Sequence, residues 1–231
     1  MGVENYWPWG PSIGDVNADG WDDIFIASSM NFPFRYGINS LLLNNKGEKF
    51  LAAEFVLGVE PRRTTYTPWF QLNCEQPPPD PRNLMRPMCE NQSDQISVMA
   101  PAGSRAAVLF DLDNDGDLDL VTGDFNSAPQ ILVSNLTQVR SIHWLKVQLI
   151  GASSNRDGLG ALVKVETAHG SYTKQYDGKS GYLSQSSLPL YFGLGDDAAV
   201  TRVEVRWPSG RSQVIARGIT VNETLRIQEP R

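Results

Sequence analysis

A duplication constrains this chain more than any other feature. "GDVNADGWDDIFIAS" (14–28) and "FDLDNDGDLDLVTGD" (110–124) align without gaps, so that Asp15 falls on Asp111. Each copy places acidic residues on alternate positions, breaks them with one glycine and is flanked by strand-like residues on both sides. Glycine permits a turn that other residues resist, so each copy reads as strand, tight loop, strand. In the second copy Asp111, Asp113, Asp115, Asp117 and Asp119 alternate through nine residues. Carboxylates that close repel one another. Such a loop calls for a positively charged occupant.

The rest of the chain supports an all-β fold. Short runs rich in valine, isoleucine, leucine and aromatics alternate with clusters of Gly, Asn, Asp and Pro, and no stretch sustains a helical period. Strands are expected at 23–28, 40–45, 106–111, 118–123, 130–135, 143–150, 161–167, 171–177, 201–207 and 223–229. An Asn-Lys-Gly turn joins two short runs in "NSLLLNNKGEKF" (39–50), just after the first copy. Near residue 140 the acidic loops stop and tight glycine turns take over, as at Asp157-Gly158 and Asp177-Gly178. The expected division is 1–139, carrying the repeats, and 140–231.

Both loops fit D-x-[DN]-x-D-G-x-x-D. Calcium takes about six to eight oxygen ligands, and side chains at positions 1, 3 and 5 of a tight loop can converge on one point. The expected ligands are Asp15, Asn17, Asp19, the Trp21 carbonyl and Asp23 in the first loop. In the second they are Asp111, Asp113, Asp115, the Asp117 carbonyl and Asp119. Asp22 and the Asp117 side chain fall outside the pattern and are expected in solvent. An EF-hand needs glutamate at position 12 between helices. Here Ile26 and Thr122 stand there and the flanks are strands, so the expectation is two strand–loop–strand Ca²⁺ sites. The alternative is a pair of acidic hairpin turns without metal.

These loops resemble the FG-GAP (VCBS-type) repeats of integrin-like β-propellers. The segments "HWLKVQLIG", "SNRDGLGALVKV", "SGYLSQS", "LYFGLG" and "VEVRWPSGR" resemble the ASPIC/UnbV domain, which follows such repeats in cartilage-acidic-protein-like proteins. The resemblance implies partial propeller blades followed by a β-sandwich-like ASPIC/UnbV domain, with only about 52–103 matching neither pattern. Propellers of that kind carry several more blades. Two loops imply either a C-terminal portion of a longer protein or sheets completed by self-association.

Charge and cysteine content narrow the setting. Without the seven carboxylates Asp15, Asp19, Asp23, Asp111, Asp113, Asp115 and Asp119, the net charge of −6 would become +1. The acidity thus belongs to the loops. No basic run suggests nucleic acid, no apolar run approaches the ~18 residues of a membrane span, and the start shows no signal-peptide pattern. The two cysteines, Cys74 and Cys89, bracket a proline-rich stretch that a disulfide would staple; two unrelated thiols are the alternative. Together with the calcium chemistry and sequons at Asn91, Asn135 and Asn222, this favours an extracellular or secreted protein, a periplasmic one being the bacterial counterpart.

Catalytic signals are few. His143 and His169 lack zinc-site spacing, and there is no nucleophile elbow, phosphate loop or dinucleotide fingerprint. Asn155, Arg156 and Asp157 form either a recognition loop or a plain Asp-Gly turn. Tyr182, Ser184 and Gln185 suit sugar or peptide contact and equally suit a buried polar turn. Two functions stand: a calcium-stabilised binding, adhesion or structural module for a protein or carbohydrate ligand, and an enzyme with its site at the junction of the two halves.

Overall fold

In the computed structural model, residues 7–29, 37–63 and 66–231 are described. The opening residues 1–6, read above for a leader, lie outside them. The chain is all-β, in several sheets, none of which closes among the described residues.

The first repeat builds an antiparallel sheet in sequence order: β1 (Pro8–Gly14), β2 (Asp23–Ser28), β3 (Ser40–Asn45) and β4 (Lys49–Ala52). β5 (Tyr66–Asn73) and β6 (Gln95–Pro101) form a separate hairpin. The second repeat is a three-stranded sheet of β7 (Ser104–Phe110), β8 (Asp119–Asp124) and the two-residue β9 (Ile131–Leu132). The duplication extends to register: Gly14 pairs with Asp23 across the first loop, and Phe110 with Asp119 across the second. The two repeat sheets share a core of Phe25, Ala27, Leu41, Val59, Ala107 and Leu120. Beside it the buried Asn39 amide accepts from the Ser28 amide and donates to Ser104, while Glu60 accepts from the Asn39 and Arg62 amides. Buried polar groups need such partners.

The β5–β6 hairpin carries its own small cluster of Leu72, Cys74 and Val98. Cys74 and Cys89 form a disulfide that closes the proline-rich loop, which holds only a 3₁₀ turn at Arg86–Cys89. Closing a loop of this size stabilises by roughly 3 kcal/mol in the chain-entropy picture.

After a single helical turn, α1 (Leu136–Val139), come two further sheets. One is ordered β13 (Leu190–Gly193), β10 (Trp144–Ile150), β16 (Glu223–Gln228), with β10 and β16 parallel. The other is β12 (Ser171–Gln175), β11 (Leu162–Thr167), β14 (Val200–Arg206), β15 (Ser212–Ile215). The two pack as a sandwich around Leu145, Val147, Val163, Val165, Phe192, Val203, Val205, Trp207 and Ile227. Strict period-two alternation produces this core. Leu145 and Val147 point in, and Trp144 and Lys146 therefore point out. The outward face of β10 positions the candidate site.

Candidate metal centre at the junction of the sheets

The two loops share one hydrogen-bond frame. At position 1, Asp15 Oδ2 accepts from the Gly20 amide at 2.7 Å and Asp111 Oδ2 from Gly116 at 2.9 Å. At position 3, Asn17 Oδ1 and Asp113 Oδ1 each accept at 3.3 Å, from the Asp19 and Asp115 amides. At position 5, Asp19 accepts from Trp21 at 2.9 Å and Asp115 from Asp117 at 3.1 Å. Gly20 and Gly116 have φ of +93° and +104°, a region closed to most side chains.

Position 9 does different work from positions 1, 3 and 5. Asp23 accepts from the Val16 amide at 2.9 Å and, across the sheet, from Asn44 at 2.8 Å. Asp119 accepts from Leu112 at 2.6 Å and Ser134 at 2.8 Å. Both carboxylates are buried. Asp23 ties its loop to β3 and Asp119 ties its loop to the segment just after β9, so in the frame observed position 9 braces the loop.

Among the described residues, oxygens of Asp111, Asp113 and Asp115 lie mutually within 4.8 Å. The Asp111 side chain is 1% exposed, and its Oδ1 has no hydrogen-bond partner. A buried, unpartnered carboxylate oxygen is costly unless something binds it. The donor set is all hard oxygen, which suits Ca²⁺. The first loop is less open at position 1, where the second oxygen of Asp15 accepts from the Asp19 amide at 3.0 Å; position 5 is capped in both, Asp19 Oδ2 by Asn17 Nδ2 at 3.1 Å and Asp115 Oδ2 by the Thr137 hydroxyl. Burial pushes the Asp15 carboxyl up to about 7, against the Gly20 amide and nearby Lys174. Burial likewise raises Asp23 to about 6, and it raises Asp119. A divalent cation would reverse that tendency.

Of the two side chains expected in solvent, one is buried and the other is partly covered. Asp117 is 1% exposed, because its Oδ2 accepts from the Thr137 amide at 2.9 Å where α1 folds back over the loop. Asp22 is half-covered and ion-paired with Lys174 of β12. Trp21 is largely exposed, with its ring against Gly47.

Asp113 and Asp115 stay exposed, but both loops are covered on one side. They seat on four residues of the outward face of β10 and β13: Trp144 paired with Gly193, and Lys146 with Tyr191. Lys146 Nζ contacts Asp111 Oδ2, and Tyr191 Oη donates to the Gly116 carbonyl at 3.0 Å. A Cβ on Gly116 would fall 2.1 Å from Trp144 Nε1, and one on Gly193 would fall 2.0 Å from Asp15 Oδ2. Burial raises the Tyr191 phenol, and the carboxylates of Asp15, Asp117, Asp111 and Asp115 add to it. Arg140 also donates to the Asn17 carbonyl. None of these partners was singled out from sequence. Alternation shows that Trp144 and Lys146 point away from the core, but nothing local shows what they meet.

The remaining candidates are dispersed. The Asn155 side chain accepts from the Leu159 amide and donates to its carbonyl, both at 2.7 Å, and Arg156 pairs with Asp157 in solvent. Beside this turn three successive amides, Ala152, Ser153 and Ser154, converge on Glu229 Oε2 at 2.8, 2.8 and 2.7 Å. Burial alone would raise the Glu229 carboxyl, but the Ser209 hydroxyl and these amides outweigh it and bring it to about 2. The turn at 180–186 sits at the seam between the halves. Ser180 Oγ donates to the Ala107 carbonyl at 2.8 Å, the Gly181 amide donates to Pro11, and Tyr182 meets Trp9 edge-on at 5.0 Å. Ser184 Oγ donates to the Tyr182 carbonyl, and Gln185 bridges to Lys179. His143 lies 3.3 Å from the Gly195 carbonyl, and His169 lies 2.6 Å from Asp197. A junction cavity of about 560 Å³ is lined by Asp22, Lys174, Tyr176 and Lys179 among others.

Residues 151–231 match the family described as ASPIC and UnbV. The chain is 34% identical over 152 residues to cartilage acidic protein 1 of Homo sapiens, covering 63% of this chain and 22% of that protein. It is 32% identical over 142 residues to the Mus musculus protein of the same name (59% and 21%), and 36% identical over 135 residues to that of Xenopus tropicalis (55% and 20%). The chain thus spans about a fifth of the length of the curated relatives it matches. It carries an ASPIC and UnbV domain and is similar, over more than half its length, to cartilage acidic protein 1.

Proposed function

We propose that this chain is a calcium-stabilised extracellular binding or structural module whose two acidic loops, of FG-GAP/VCBS type, hold Ca²⁺ and whose repeat sheets are propeller blades. In this reading 1–139 and 140–231 are two domains. The observation that carries it is the second loop, where Asp111, Asp113 and Asp115 converge and the buried Asp111 Oδ1 lacks a partner. The matching frame in the first loop supports a second, weaker site built on Asp15, Asn17 and Asp19. The Cys74–Cys89 disulfide and the similarity to cartilage acidic protein 1 support an extracellular setting. No helix among the described residues is long and apolar enough to cross a membrane. A protein or carbohydrate ligand is the partner this reading implies.

The test is calorimetric titration with Ca²⁺ together with thermal melting. Calcium at a hundredfold excess over its dissociation constant should stabilise the fold by about 2.7 kcal/mol, raising the melting temperature by several degrees, and chelator should remove the gain. Asp115→Ala should shrink the shift more than Asp19→Ala. A melting temperature indifferent to chelator, with no heat of binding, overturns the calcium reading.

A further inference from the structure

The two halves meet through opposite charges, each acidic loop receiving a cation from beyond residue 139. Arg140 reaches the first loop at the Asn17 carbonyl, and Lys174 reaches Asp22 beside it. Neither touches a position-1 or position-5 carboxylate. Lys146 is different. Its Nζ contacts Oδ2 of Asp111, the position-1 carboxylate, with side-chain exposures of 13% and 1%. The ammonium also lies 4.7 Å from the centroid of the Trp144 ring, on the same outward face of β10. The other Asp111 oxygen is the buried, unpartnered one. One buried carboxylate therefore meets a tethered ammonium, belongs to the cluster with Asp113 and Asp115, and keeps one oxygen without a hydrogen bond.

From this arrangement we infer that Lys146 is a built-in counter-ion of the second acidic loop, set to compete with Ca²⁺ and so to determine how tightly that loop binds it. The inference rests on the calcium reading of the loop. Two cations drawn to one carboxylate repel, strongly in a half-buried setting. Calcium entry then weakens or displaces the Lys146 contact, and the displaced ammonium leaves the Trp144 ring, an attraction that strengthens as water is excluded. Conversely, without calcium, Lys146 offsets part of the repulsion among Asp111, Asp113 and Asp115 and keeps the loop seated on β10. Counting carboxylates alone ranks the second loop well above the first. The tethered lysine narrows that gap and ties metal uptake to the contact between the two halves.

The experiment is calcium titration of the full 231-residue chain carrying Asp19→Ala, so that the second loop dominates the signal, with and without Lys146→Met. Removing the lysine should tighten calcium binding about tenfold at low ionic strength, and the difference should shrink as salt is raised. Lys146→Arg, which keeps the charge, should stay near the lysine-containing affinity. Trp144 fluorescence should respond to calcium in the lysine-containing chain and much less in Lys146→Met. If Lys146→Met does not fold, Lys146→Gln takes its place in the same comparison. Equal affinities with and without the lysine overturn the inference while leaving calcium binding intact. Failure of the unsubstituted chain to bind calcium at all overturns the calcium reading and this inference with it.

Discussion

The two acidic loops are built on one plan and placed in different surroundings. Positions 1, 3 and 5 accept corresponding backbone amides in both, position 9 accepts that of position 2, and a residue at positive φ, Ala18 or Asn114, stands at the same point. What differs is what covers them. The first loop has Asp15 pressed against Gly193, with both Asp15 oxygens accepting amides of its own loop. The second leaves Asp113 and Asp115 exposed, and has α1 folded over Asp117 and Lys146 on Asp111. A repeat therefore transmits geometry faithfully, whereas electrostatics come from whatever the rest of the chain lays on top.

The most severe way to break this comparison is to remove position 9. Asp23→Ala and Asp119→Ala each orphan two backbone amides, at about 1–3 kcal/mol per unsatisfied group. Each should cost about 3 kcal/mol, or roughly 10 °C in melting temperature for a chain of this size. The loss should be similar in both loops and should persist in chelator. If chelator abolishes it, position 9 is a metal ligand and not a brace.

A smaller effect separates the loops. Gly193→Ala places a methyl onto Asp15 Oδ2 and 2.8 Å from the Ala18 Cα. Overpacking of this kind costs about 1–3 kcal/mol. It should weaken the first calcium site and leave the second unchanged, as read by two-site titration. Equal loss at both sites would mean that the joint moves as one body and that the loops are not independently seated.

The smallest effect sharpens the contrast from the other side. The amides of 152–154 form an anion nest that the chain fills with its own carboxylate, Glu229. Its folded value of about 2 lies below the ordinary 4.5. The unfolded state thus binds the proton more readily, and the stabilisation is complete above about pH 4.5 and disappears as pH falls toward 2. Glu229→Gln should therefore melt lower than the parent at pH 7, with the two curves converging near pH 2. A difference independent of pH would point to packing and not charge.

Local pattern carried much of the architecture. "DIFIAS" and "SLLLNN" coincide with β2 and β3, and the runs at 143–150, 161–167, 201–207 and 223–229 give β10, β11, β14 and β16 within a residue. Alternation reports burial on one face, which is a local property. The expected strand at 130–135 shrinks to Ile131–Leu132, and β5 and β6, flanking the proline-rich loop, escaped notice because prolines and polar residues mask their period.

The amino-acid sequence by itself determined the duplicated loops, the glycine turns that close them, the oxygen donors within each and the all-β character. All of these are set by residues near one another along the chain. Only the tertiary structure decided that Asp117 is buried, that Asp23 braces β3 and Asp119 the segment after β9, and that both loops seat on Trp144, Lys146, Tyr191 and Gly193. The physical reason is range. A turn or an alternating strand is specified within a few residues, but the charge that meets a buried carboxylate comes from wherever packing brings another element, and Lys146 lies 35 positions from Asp111.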